Sequence, residues 1–171
     1  MSPRSASAGP VARRAAKLRG ELKNLVRFQI GETCYAFDVA TVDEVVHPGR
    51  VTPLPHMGEA VAGVTDHRGR VVPIVSLRVR FGLPNAEVGR LTKWILMRSS
   101  SGLVGFVVDR VLDVASTDGS LSSAPQVGGT EADRAIRGVV SVDGGLVFIL
   151  DEDKLASVLA GLQLPDAPTD G

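Results

Sequence analysis

Hydrophobic and polar positions alternate along most of this chain in short stretches, which is the pattern of β-strands. Residues 25–30 and 34–37 predict two strands joined by a Gly-Glu turn, so the ordered part of the chain is expected to open with a β-hairpin. Pro73 cannot donate a ladder hydrogen bond, which predicts that its strand, 71–77, lies at a sheet edge or carries a bulge. The remaining predicted strands are 94–98, 103–108, 136–142 and 146–150.

Two stretches depart from strand periodicity. Apolar residues at 39, 42, 45 and 46 follow helical spacing and predict a short helix over 39–46. Asp151 is placed to cap a final helix that runs to about residue 162. The clearest loops are predicted at 85–90 and 116–133.

The pattern also repeats within the chain. A displacement of 69 residues superposes 37–45 on 106–114, with the shared motif Phe-x-Val-x-x-Val-x-acid-Val. A displacement of 75 superposes 63–75 on 138–150, and two glycines, Gly63 and Gly69, fall on glycines. We infer two similar β units, the second slightly longer in one loop. Each unit alone would be marginally stable, so the two are expected to share a core and to leave a groove at their seam.

Composition sets the boundaries of this domain. Residues 1–24 form a basic arm, rich in small residues at its start and predicted to be mostly disordered, with a short helix possible over 11–24. The arm is interpreted either as solvated or as weakly attracted to an acidic partner or membrane surface. Residues 25–162 are the predicted folded domain, and 163–171 a disordered tail.

Charge and cysteine content narrow the class of protein. The net charge of zero gives no general attraction to nucleic acid or to an anionic membrane. Cys34 is the only cysteine, so no internal disulfide forms, and a buried or half-buried thiol is expected. Without an apolar run that could span a bilayer or act as a secretory signal, the protein is expected to be cytoplasmic.

No catalytic, metal or cofactor site emerges from the motifs. The three histidines lack ligand spacing, and the chain has no nucleophile elbow or phosphate-binding loop. Paired carboxylates such as Asp151 and Asp153 are better explained as helix caps and surface groups. Low aromatic content argues against nucleic-acid binding. The clearest polar feature is Arg68 on a tight turn, which we expect to pair with Glu44.

The segment 63–83, GVTDHRGRVVPIVSLRVRFGL, closely resembles the signature of the CheW family. Residues 28–45 are similar to that family's first strands, while 105–111 and 150–155 match its second half. The resemblance covers about residues 25–160. It implies an all-β fold of two intertwined, SH3-like, five-stranded barrels with short linking helices and a C-terminal helix.

The resemblance further implies a non-catalytic chemotaxis adaptor without cofactors. Such a protein couples the helical cytoplasmic tips of chemoreceptors to the regulatory domain of the histidine kinase CheA in a signalling array. Receptor tips would dock in the groove between the barrels, for which the candidates are Val39, Val42, Val108 and Val111. The alternative for these valines is simple burial in the core. A CheW-like scaffold that does not couple a kinase is the alternative function.

Polar candidates for the partner surface are Glu44, Asp66, His67 and Arg68. Glu44 and Arg68 match positions that the family uses near its partner-binding surface. Asp66 and His67 stand where the family prefers Asn and Leu, and Ser76 replaces the usual Asp. We hypothesise that Asp66 and His67 retune partner choice, because one adds a charge and the other a titratable group.

Overall fold

The computed structural model describes residues 24–100, 102–117, 122, 135–160 and 162. The predictions of a basic arm, a helix over 11–24, a C-terminal tail and most of the loop 116–133 concern residues outside these ranges, except Asn24, which begins the first strand. The described chain folds into ten strands and four short helical segments. The strands are β1 (Asn24–Ile30), β2 (Thr33–Asp38), β3 (Val42–Val46), β4 (Val61–His67), β5 (Arg70–Ser76), β6 (Lys93–Ser99), β7 (Gly102–Val108), β8 (Arg110–Ser116), β9 (Ile136–Val142) and β10 (Gly145–Leu150).

The ten strands form two five-stranded sheets. The first, here the terminal sheet, has the order β8-β1-β2-β10-β9; the second, the central sheet, has the order β3-β6-β7-β5-β4. Each sheet combines strands from both repeats, so the two SH3-like barrels are intertwined, as predicted. The displacements of 69 and 75 residues convert one strand order into the other. The predicted repeat is therefore a structural one.

One large core lies between the sheets, and each sheet also encloses a smaller apolar cluster of its own. Phe37 of the terminal sheet stacks on Phe106 of the central sheet with ring centroids 5.5 Å apart. These two fully buried phenylalanines are equivalent in the repeat. The predicted shared core is thus built on a pair of like residues that neither unit could bury alone.

The predicted helix over 39–46 is wrong. Only Val39–Thr41 forms a single 3-10 turn, after which β3 pairs antiparallel with β6. Valine-rich sequence fits an extended strand, and pairing with β6 provides backbone partners that outweigh the apparent helical spacing. Glu44 consequently lies on a strand and not on a helix.

The strand that contains Pro73 is not an edge strand, because β5 lies between β4 and β7. Pro73 is opposite Val64, whose backbone N–H and C=O bond instead to Thr52 at 2.9 and 2.8 Å. The missing proline donor therefore leaves no acceptor on β4 unpaired. The bulge of this hairpin lies in β4, between Val61 and Gly63.

Besides β3, two further strands were not predicted, β4 and β8. Both are sheet-edge strands, and their polar residues weaken the apolar alternation. At the C-terminus, Asp151 caps the chain as expected, since its Oδ1 accepts from the N–H groups of Asp153 and Lys154. The final helix is shorter than predicted, with one α turn at Glu152–Leu155 and a 3-10 turn at Ala156–Leu159.

A candidate partner-binding surface

The turn between β4 and β5 has a backbone that favours glycine. Arg68 has φ +53° and Gly69 has φ +82°, which is the type I′ geometry of a two-residue hairpin. Asp66 stabilises the turn, because its Oδ1 accepts the backbone N–H of Gly69 at 2.9 Å. An arginine in a left-handed conformation costs on the order of 1–2 kcal/mol.

The predicted pairing of Arg68 with Glu44 is confirmed. Arg68 Nη2 donates to Glu44 Oε2 at 3.0 Å. The arginine contacts one carboxylate oxygen, and the other oxygen lies 3.3 Å from His67 Nε2. Glu44 therefore links β3 and β4, the two edge strands of the central sheet.

The structure brings all four polar candidates together. We call Glu44, Asp66, His67 and Arg68 the turn cluster. The side chain of Arg68 is 72% exposed, whereas those of Glu44 and His67 are 29% and 20% exposed. Glu44 and His67 are thus half-buried beneath the side chain of Arg68. Arg68 is the member of the cluster most available to a partner.

The four valines predicted to line the groove divide by burial. Val42 and Val111 are half-buried and pack against the large core between the sheets. Val39 is 36% exposed at the start of the 3-10 turn. Val108 is fully buried, so it is corrected to a core residue with no surface to offer a partner. The seam therefore retains three groove candidates, two of which are repeat equivalents.

Sequence reasoning missed the matching cluster on the terminal sheet. Arg27 donates to Asp113 through Nε at 2.6 Å and through Nη2 at 2.5 Å, a two-bond contact between β1 and β8. This hydrogen bond, chiefly, holds the pKa of the Asp113 carboxyl below its ordinary value. The sequence did contain a signal for this cluster, because the repeat superposes Asp113 on Glu44. A basic partner for Asp113 could have been sought on that ground.

Ser76, which departs from the family signature, has a local structural role. Its Oγ accepts the N–H of Val79 at 3.3 Å and caps the short helix Leu77–Arg80. Serine and aspartate are comparable caps, so this replacement preserves the helix start. Because Ser76 is buried, it is not a candidate for partner choice.

Among the described residues, the only group of three potential metal ligands close enough to share an ion is Asp151, Glu152 and Asp153. Asp151 is already occupied as a helix cap. Cys34 is half-buried, and burial raises the pKa of its thiol, which disfavours the reactive thiolate. Within the described ranges, no helix combines the length and the apolar character that a membrane crossing requires.

Two intertwined barrels with a strained, exposed arginine and a half-apolar seam define a docking protein. The CheW-like domain model matches residues 24–160, and the chain belongs to this family. As a member it is a scaffold or adaptor of the chemotaxis type and not an enzyme, as the sequence predicted.

Relatives and a solved structure agree with this assignment. The chemotaxis protein CheW of Thermotoga maritima is 33% identical over 131 residues, which are 77% of this chain and 85% of that protein. The chemotaxis protein CheW of Klebsiella aerogenes is 31% identical over 144 residues, 82% of this chain and 87% of that protein. The crystal structure of the scaffolding protein TtCheW from Thermoanaerobacter tengcongensis matches with a TM-score of 0.75 at 27% identity, covering 84% of this chain and 98% of that chain.

Proposed function

We propose that the chain couples the cytoplasmic tips of chemoreceptors to the regulatory domain of a CheA-type histidine kinase. It would act in the cytoplasm, at a chemoreceptor array. The observation that carries the proposal is Arg68, whose 72% exposed side chain is held by Glu44 and replaces the aspartate, Asp143, that occupies the equivalent turn position in the repeat. An exposed arginine whose direction is fixed by a neighbouring carboxylate is suited to pair with an acidic group of a partner.

The two kinds of candidate residue suit different parts of this task. Val39, Val42 and Val111 offer apolar contact along the seam, as the docking of a helical receptor tip in a groove requires. The turn cluster offers charged groups, which fix the register and selectivity of an interface more than its affinity. A protein with these two surfaces can hold receptor and kinase at the same time.

We also propose that Asp66 and His67 adjust partner choice. His67 Nε2 lies 3.3 Å from Glu44 Oε1, so this side chain contacts the carboxylate that holds Arg68. A double variant, Asp66→Asn with His67→Leu, is expected to change the relative affinities for different receptor tips. Unchanged affinity for every receptor tip would contradict this part of the proposal.

The coupling is tested by reconstitution. Receptor cytoplasmic fragments and the CheA-type kinase are combined with and without this protein, and kinase autophosphorylation is measured. We expect the protein to change the rate only when receptor is present, and a Val42→Asp variant to lose that effect. No change in autophosphorylation would refute the coupling and favour a CheW-like scaffold that engages no kinase.

A further inference from the structure

A cavity of about 310 Å³ opens where the edge strands β3 and β4 approach each other. Val46 and Trp94 form its apolar side, and Thr65 and His67 line it from β4. The segment that follows β3 supplies the rim. We call this cavity the Trp94 pocket. Its volume is at the small end of the range of ligand pockets, which begins at about 300 Å³.

The repeat provides an internal reference for this pocket. Thr65 and His67 correspond to Val140 and Val142, at the displacement of 75 residues. Both valines are buried in the apolar cluster of the terminal sheet. The central sheet therefore has a hydroxyl and an imidazole where the same fold elsewhere closes with valine. The fold itself does not require polar groups at these positions.

The rim of the pocket offers hydrogen-bond donors to an anion. His47 and Arg50 are exposed on the rim, and their side chains form no hydrogen bond or ion pair with another described residue. The pocket's one carboxylate, that of Asp66, is directed to the turn by its bond to the N–H of Gly69. His67 is already in contact with Glu44. One arginine and one imidazole, without a partner among the described residues, thus lie on the rim of a pocket with an apolar side.

We propose that the Trp94 pocket binds a carboxylate carried on a small apolar body, such as one aromatic ring with a short acidic arm. The ring would lie against Trp94, and the carboxylate would accept from Arg50 and His47 at the rim. The same chemistry is available from a free organic acid or from an acidic side chain next to an aromatic residue in a peptide. His67 belongs to both the pocket and the turn cluster. A bound ligand would therefore contact a residue that is linked to Arg68 through Glu44. The binding itself does not depend on the proposed coupling of receptor and kinase.

The test uses the only tryptophan of the chain as its reporter. In the ¹⁵N-labelled full-length protein, a single indole N–H resonance reports on this pocket. Three ligands with the same ring are titrated to roughly 10 mM, well above a Kd near 1 mM. Phenylacetate is expected to shift the resonance saturably, phenylacetamide to bind at least tenfold more weakly, and phenethylamine to leave the resonance unmoved. An end-blocked Phe-Glu dipeptide is the second arm, and tighter binding of either probe identifies the source of the carboxylate.

Variants distinguish specific binding in the Trp94 pocket from a general attraction of the ligand to basic surface residues. Arg50→Ala is expected to weaken phenylacetate binding about tenfold, and His47→Ala to weaken it by a smaller factor. Arg110→Ala is the matched control, since Arg110 is exposed on β8 and away from the pocket. Equal responses to the three ligands, a full response in Arg50→Ala, or no response to either carboxylate would overturn the proposal. A folded spectrum of each variant shows that the loss is local.

Discussion

Two turns that the repeat relates have the same type I′ backbone and opposite charge. In the central sheet, Arg68 and Gly69 have φ +53° and +82°; in the terminal sheet, Asp143 and Gly144 have φ +51° and +82°. Each turn joins an edge strand to its neighbour in the sheet, β4 to β5 in the central sheet and β9 to β10 in the terminal sheet. The glycine is common to both, so the turn itself depends on the glycine and not on the residue before it.

The difference lies in where each sheet finds a counter-charge. In the terminal sheet, Asp113 forms an ion pair with Arg27 of the neighbouring strand β1. Asp143 is 87% exposed and lies 4.0 Å from that arginine. In the central sheet the position of Arg27 is occupied by Leu96, which is fully buried. Glu44 must then take its counter-charge from the turn. The terminal cluster therefore holds its own sheet together, whereas the central cluster directs its arginine outward.

The largest effect should come from the interiors of the two sheets. Gly105 of the central sheet corresponds to Ala36 of the terminal sheet, yet a Cβ at 105 would lie 2.7 Å from Ile74 Cδ1 and 2.9 Å from Leu96 Cδ2. We expect Gly105→Ala to reduce the free energy of unfolding by about 1–3 kcal/mol because of overpacking. Urea unfolding measures this loss.

Gly49→Ala is the control, because a Cβ at that position meets nothing within 4 Å. Its free energy of unfolding should stay within about 0.5 kcal/mol of the wild type. Equal stability of the two variants would show that the central interior has room to spare and that the two sheets differ less than described.

The next largest effect is a difference in stability between variants of Arg27 and Arg68. Arg27→Ala removes both hydrogen bonds to Asp113 and should lower the free energy of unfolding by about 1–2 kcal/mol. Arg68→Ala removes one exposed contact with Glu44 and should change it by less than about 0.5 kcal/mol. Chemical denaturation of both variants checks this order. A larger loss for Arg68→Ala would reverse the assignment of structural and functional roles.

The smallest effect is pH dependence in the terminal cluster. Arg27 lowers the pKa of Asp113 from the ordinary value of 3.8, so this carboxylate stabilises the fold above about pH 4 and loses its contribution as the pH falls through the lowered pKa. The stability difference between wild type and Asp113→Asn should be constant near neutral pH and shrink below about pH 4. Urea unfolding along a pH series measures this difference.

The same pair of measurements in an Arg27→Ala background is the control. There the pH-dependent part of the difference should disappear, because the hydrogen bond that lowers the pKa is gone. Persistence of the full pH dependence without Arg27 would contradict the cause given for the shift.

The sequence was sufficient for the features that repeat. The Phe37 and Phe106 motif and the turn glycines predicted two units with a shared core, and the Arg68–Glu44 pairing followed from charge and turn position. It was insufficient where tertiary pairing overrides local spacing, as at Val42–Val46, whose strand is fixed by β6. Burial also depends on strand position, so Val39 is partly exposed while its repeat equivalent, Val108, is in the core.

The central claim is that Arg68 serves a partner and not the fold. Its most direct test compares Arg68→Gly with Asp143→Gly in a binding measurement against receptor fragment and CheA-type kinase, with unfolding measured in parallel. Both variants should be at least as stable as the wild type, by up to about 1 kcal/mol, because the relief of a left-handed backbone (about 1–2 kcal/mol) outweighs the added freedom of glycine in the unfolded chain (about 0.5–1 kcal/mol). Only Arg68→Gly should bind its partners more weakly, by about tenfold or more. Wild-type affinity in Arg68→Gly, or equal losses in both variants, would contradict the account.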